Sequence, residues 1–171
     1  MRSGVRWAVG KGAALVAAFL VLVMVGAGMA AAQQPPGPEP VYSTGELTIR
    51  RASGGDIAFK IELALTPEQQ EHGLMFRKEV KPYEGMLFDF GYPRPVSFWM
   101  KNTLVPLDML FIAADGRIVR IAANAKPLST DTIDSGAPVS GVLEIAGGSA
   151  LLLGIKPGDL VIHPMFQRKA F

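Results

Sequence analysis

Between residues 57 and 65 the chain alternates strictly: Ile57, Phe59, Ile61, Leu63 and Leu65 are separated by Ala58, Lys60, Glu62 and Ala64. Successive side chains of an extended backbone point to opposite faces, so a period of two gathers the large apolar residues on one face of a half-buried strand. A helix would scatter the same set around its axis, because its period is 3.6 residues. The next segment changes register. Thr66-Pro67-Glu68-Gln69 reads as a helix start, with Thr66 as N-cap, Pro67 at the first helical position and Gln69 closing a capping box. Gly73 fits the left-handed residue that ends this short helix.

Short apolar runs then recur. Residues 86–90, 96–101, 107–113, 139–145 and 160–162 read as strands. Asp115-Gly116, between Leu110-Phe111-Ile112 and Ile118-Val119, is a hairpin signal. Ser149 stands where it can cap a brief helix over residues 150–153, Gly154 can stop it, and Lys156-Pro157-Gly158-Asp159 turns into the last strand. Many short strands, tight turns and two minor helices predict a mainly β domain over residues 46–171. Its expected form is an antiparallel β-sandwich or partly closed barrel, jelly-roll-like.

The N-terminus has a different character. Arg2, Arg6 and Lys11 precede an apolar run over residues 13–29, and Ala30-Ala31-Ala32 offers a cleavage site before Gln33. This is the three-part pattern of a secretory signal peptide over residues 1–32. The alternative is an uncleaved anchor, since residues 13–32 match the roughly 20 residues that span a bilayer. Either way the domain is expected to be exported to the periplasm, meeting the membrane only through a retained leader. Four prolines within residues 33–40 make an extended spacer, read here as a linker over residues 33–45.

The leader also explains the charge. It carries three of the 17 basic residues and none of the 15 acidic ones, so the remainder has 14 against 15 and a net charge of −1. No long basic run is left, and nucleic acid is not an expected partner. The absence of cysteine excludes disulfides, thiolate metal sites, a lipidated cysteine and a cysteine nucleophile. Two histidines, His72 and His163, leave little for a histidine metal site. Met75, Met86, Met100 and Met109 sit in apolar runs as ordinary core residues rather than in a clustered copper motif. No metal and no cofactor is expected.

Candidate binding residues come from polar groups in apolar surroundings. In residues 96–101, Val96, Phe98 and Met100 share one face and Ser97, Trp99 and Lys101 the other. Trp99 and Lys101, followed by Asn102 and Thr103, combine a stacking surface with hydrogen-bonding groups, the composition of a polar-ligand pocket. Trp99 packed under a loop and Lys101 in an ion pair is the plainer alternative. Asp108 interrupts Leu107-Asp108-Met109-Leu110-Phe111-Ile112, so its carboxylate must be satisfied, by Lys101 or by turn amides. Glu84 and the Glu71-His72 pair are further polar candidates. Arg77 can hold an anion with two parallel bonds or close a salt bridge to Glu79 or Glu84. Catalytic motifs such as G-x-S-x-G, H-E-x-x-H or a phosphate-binding glycine loop do not occur.

Four segments carry a resemblance. They are Glu71-His72-Gly73-Leu74-Met75-Phe76-Arg77; Glu84-Gly85-Met86-Leu87-Phe88; Ser97-Phe98-Trp99-Met100-Lys101-Asn102-Thr103 with Pro106-Leu107-Asp108-Met109-Leu110-Phe111-Ile112; and Gly154-Ile155-Lys156-Pro157-Gly158-Asp159. In this order and spacing the chain resembles the bacterial and archaeal family called domain of unknown function 192, over about residues 47–162. The resemblance implies a compact, mostly β single domain, often behind a signal peptide, and brings no established activity. The leading functional expectation is non-catalytic binding of a small polar ligand or envelope glycan by Trp99, Lys101, Asn102, Thr103 and Asp108, with Glu84 and Arg77 as further contacts. A hydrolase or lyase using Glu84, His72 or Asp108 as acid or base is the alternative. A third reading is an envelope interaction module that offers a sheet edge.

Overall fold

The computed structural model describes residues 38–167. The leader, the start of the spacer and the Arg168-Lys169 pair lie outside the described residues. Strand β1 (Ser43–Arg50) pairs antiparallel with β2 (Asp56–Ala64), Leu47 opposite Phe59 and Ile49 opposite Ile57. Helix α1 (Pro67–His72) starts with the expected capping box: Gln69 N donates to Thr66 Oγ1 at 3.2 Å, and Thr66 N donates to Gln69 Oε1 at 3.0 Å. It carries the chain across to β3 (Glu84–Arg94), which runs parallel to β2. β4 (Ser97–Phe98), β5 (Leu107–Ile112), β6 (Ile118–Ala125), β7 (Ile133–Asp134), β8 (Val139–Ala146), α2 (Ser149–Leu152) and β9 (Leu160–Ile162) follow. A 3-10 turn (Pro164–Gln167) closes the described chain.

Seven strands form one sheet in the order β6-β5-β8-β3-β2-β1-β9, while β4 and β7 make a separate two-stranded ribbon. The sheet curls into a half-barrel whose two edges meet at one end. Val161 N donates to Gly116 O at 2.8 Å, Ile118 N to Asp159 O at 2.9 Å and Gly158 N to Ile118 O at 2.8 Å. The buried Asp159 carboxylate reinforces this seam by accepting from Ala52 N and Lys156 N, both at 2.8 Å. The mainly β, partly closed barrel expected from the strand pattern is therefore the observed architecture.

The central strands β5, β8 and β3 are buried on both faces. Leu87, Leu110 and Leu143 turn to the barrel interior with Leu47, Phe59, Ile61 and Val161. Met86, Phe88, Met109, Phe111 and Val142 form a second core on the other face, together with Leu74, Met100 and Val139. Two buried faces explain why β5 and β8 are mostly apolar on both sides, broken by Asp108 and by Ser140 and Glu144, while β2 alternates.

Two local expectations change. Residues 96–101 are a strand only at Ser97–Phe98. Beyond it Met100 N bonds to Ser129 O at 2.9 Å, Asn102 adopts a left-handed φ of 59°, and its carbonyl accepts from Phe76 N at 2.8 Å. Bonds to segments distant in sequence hold these residues in a turn. Ser149 does not cap α2 either: the N-cap is Gly148, and no side chain at that position caps the helix.

Candidate functional site

Asp108 supplies the missing cap. Its Oδ1 accepts from Asn124 N at 2.8 Å and from Gly148 N at 2.9 Å, and its Oδ2 accepts from Ala150 N at 2.8 Å. The carboxylate is completely buried and spent on three amides, two of them at the start of α2. It has no ion pair with Lys101, whose ammonium lies 5.3 Å from the centre of the Trp99 ring. The polar floor expected from Lys101 and Asp108 is thus not assembled; α2 has free amides that outbid a distant lysine.

Arg77 and Glu84 are placed elsewhere. Arg77 pairs with Glu39 at 2.6 Å and Glu62 at 2.9 Å rather than with Glu79 or Glu84. Glu84 lines the same groove of about 510 Å³, beside Glu46, Lys60 and Glu79. Asn102 holds the turn below Trp99, its side-chain amide donating to Met75 Sδ at 3.7 Å.

Trp99 and Thr103 do belong to a cavity, and so does His72. This second space, about 390 Å³, lies between the end of α1, the bulged end of β3 and residues 95–103. Its apolar wall is a chain of edge-on rings. Phe88 and Phe98 are 5.1 Å apart between centres, and Phe90 and Phe98 are 6.3 Å apart. Trp99, 42% exposed, stands at the rim. Arg94 also lines the cavity, with its guanidinium 5.1 Å from the Phe90 ring centre.

Glu144 forms the floor. It projects from β8 between its cross-strand neighbours Met86 and Met109, is only 4% exposed, and has no hydrogen-bond partner among the described residues. Burial pushes its carboxyl up to about 8, so the group is largely neutral at pH 7. Gly73 makes room for it. With φ at +50°, a conformation that favours glycine, this residue brings its backbone to where a Cβ would lie 3.3 Å from Phe88 and 3.9 Å from Glu144 Oε2. Behind Gly73, Tyr42 donates its hydroxyl to Gly73 O at 3.2 Å and lies 3.2 Å from His72 Nδ1. Burial pushes the Tyr42 hydroxyl up to about 12, against the opposing pull of Arg77.

A space with ring-lined walls, a buried carboxyl at its base and Gln70, His72, Arg94 and Thr103 around it can stack a flat face and exchange hydrogen bonds at several points. Sequence reasoning passed over Glu144, Phe90 and Arg94. Glu144 interrupts Val142-Leu143-Glu144-Ile145 as Asp108 interrupts its own run, and that signal was available.

Comparison with known proteins gives a consistent picture of the fold. Residues 48–163 match the model of the DUF192 family, described as Uncharacterized ACR. A crystal structure from Sinorhizobium meliloti 1021, described as a candidate transcription regulator, shares 48% identity with a TM-score of 0.72, covering 74% of this chain and 98% of that one. A protein of unknown function from Novosphingobium aromaticivorans DSM 12444 shares 42% identity with a TM-score of 0.70, covering 78% and 94% respectively. No curated protein matches the chain.

Proposed function

The chain belongs to the DUF192 family, and on that footing we propose that its exported domain binds a small polar ligand, a glycan of the cell envelope, in the cavity beneath Trp99. The observation that carries this reading is the union of a half-exposed tryptophan, a wall of phenyl rings and a buried, partnerless Glu144 in one space of about 390 Å³. A sugar ring presents a C–H face to stack on an aromatic plate and a rim of hydroxyls for polar groups. Trp99 and Thr103 are the contacts retained from the sequence. Lys101 assists by holding its charge against the Trp99 ring.

Non-catalytic binding is favoured because a hydrolase needs a second positioned group, and the polar neighbours Glu71 and His72 lie on α1 with no bond to Glu144. Glu144 itself favours the runner-up, a hydrolase or lyase with a carboxyl acid, since a neutral carboxyl at the base of a cleft is suited to proton donation. The regulator description of the Sinorhizobium protein suggests a nucleic-acid role, which an export leader and a charge of −1 after it do not favour. The test uses Trp7→Phe protein, in which Trp99 is the sole tryptophan. Titration with cellobiose and with N,N′-diacetylchitobiose should shift its fluorescence, and Trp99→Ala should weaken calorimetric binding about tenfold. Unchanged emission together with no heat for both sugars overturns the reading.

A further inference from the structure

We propose that the sugar held in the cavity is zwitterionic, with an ammonium group seated on the Glu144 carboxylate at the floor and a carboxylate held by the Arg94 guanidinium at the mouth. The proposal rests on the glycan reading above and names the substrate class of that same site. It begins from two groups of opposite sign that line one space without an opposite charge beside either. Glu144 has no hydrogen-bond partner among the described residues, whereas the buried Asp108 and Asp159 carboxylates accept three and two amides. Arg94 pairs with no carboxylate among the described residues, unlike Arg50, Arg77 and Arg117. Its guanidinium lies 5.1 Å from the Phe90 ring centre and 5.4 Å from that of Tyr92, and it donates to the Tyr92 hydroxyl at 3.4 Å.

Depth separates the two groups. Glu144 is buried beside Gly73 and Phe88, while Arg94 ends β3 half-buried, and Phe90, Phe98 and Trp99 line the space with them. A ligand with one charge meets its like at the other end of the cavity: an acid faces Glu144, and an amine faces Arg94. A zwitterion meets an opposite charge at both. A neutral sugar can satisfy Glu144, since a hydroxyl both donates and accepts, but it leaves Arg94 without a counter-charge. An ammonium makes charge-assisted bonds to the carboxylate and is drawn to the faces of the surrounding rings. At the mouth, a guanidinium stacked on Phe90 keeps its edge for two parallel bonds to a carboxylate.

Seating an ammonium calls for the ionised floor. Burial holds the Glu144 proton up to about 8, so binding near neutral pH releases that proton to the buffer. The titratable and charged groups that face it are Tyr42 ahead of β1, Glu71 and His72 on α1, and Arg94 at the far end of β3; β5 and residues 95–103 contribute none to the cavity. Four sugars are titrated calorimetrically into the full-length protein at about pH 6.5, where an amino sugar is largely protonated. Muramic acid carries both charges, N-acetylmuramic acid the carboxylate alone, glucosamine the ammonium alone and glucose neither. Muramic acid should bind about tenfold more tightly than either single-charge sugar. Its heat should differ between phosphate and Tris by the release of close to one proton. Arg94→Gln should bring its affinity down to that of glucosamine. Glu144→Gln should bring it down to that of N-acetylmuramic acid and abolish the difference between buffers, with far-ultraviolet spectra confirming both folds. Muramic acid bound no more tightly than either single-charge sugar, or an advantage that survives both substitutions, overturns the proposal. Equal binding of all four does so while leaving the glycan reading intact. No binding of any of the four, with cellobiose also silent, overturns the two together.

Discussion

Asp108 and Glu144 stand at similar places in sequence, each a lone acid inside an apolar strand, and their surroundings give them opposite chemistry. Three amides converge on Asp108. Truncation to alanine strands those donors, and Asp108→Ala should cost about 3–5 kcal/mol in urea denaturation. Trp99→Ala, half-exposed at the rim, should cost under about 1 kcal/mol. Glu144 behaves in reverse. Its folded-state proton is held to about pH 8 and its unfolded-state proton is lost near 4.5, so the folded state binds more protons between these values. Stability therefore falls as pH rises through that window, by at most about 1.4 kcal/mol per pH unit, and levels off above it. Melting temperatures of the parent and Glu144→Gln should converge near pH 4.5 and separate toward pH 8, with the glutamine variant higher. Coincident melting curves across the range would place Glu144 in water. That Asp108 is buried was legible from its neighbours. Its partners were not, because Asn124 and Gly148 are brought to it only by the pairing of β5 with β6 and β8.

At the level of elements, local signals translated where the local chain decides the outcome. The capping box of α1 needs only Thr66 and Gln69, and the alternation of β2 needs only one wet face. Residues 96–101 carry an equally good strand pattern, yet bonds to Ser129 and Phe76 turn the chain after Phe98. Such contacts cross long stretches of sequence, so periodicity has no access to them. The cavity suffers from the same blindness: its rim comes from residues 95–103, its floor from β8 and one wall from α1. β3 and β8 meet at unusually close quarters beside that floor. A Cβ on Gly85 would lie 2.4 Å from the backbone oxygen of Glu144 and 3.0 Å from Ile145 Cγ2. Gly85→Ala should therefore lower stability by about 1–3 kcal/mol by prying the two strands apart. It should also move the pH midpoint seen in the melting of the parent. An alanine variant with parental stability would mean that the strands are farther apart than described.

On the scale of the whole molecule, the seam between β9 and the start of β6 determines how the sheet ends. Asp159 joins three pieces of chain there, through its side chain to Ala52 and Lys156 and through its carbonyl to Ile118. Asp159→Ala should raise amide hydrogen exchange at Ile118 and Val161 well before that of β5 and β8, because an opened seam leaves the doubly covered central strands paired. Uniform acceleration across all strands would show instead that the seam and the centre unfold as one unit.

The pairing of Thr48 with Ile162 makes the last described strand a neighbour of the first. A ribosome releases β1 long before β9 exists, so the half-barrel stays unfinished until β9 has been made. Contacts so far apart in sequence are slow to form. Were the domain exported, as proposed above, this delay would keep the chain open for its passage across a membrane. The topology that seals the finished domain is also what postpones its sealing.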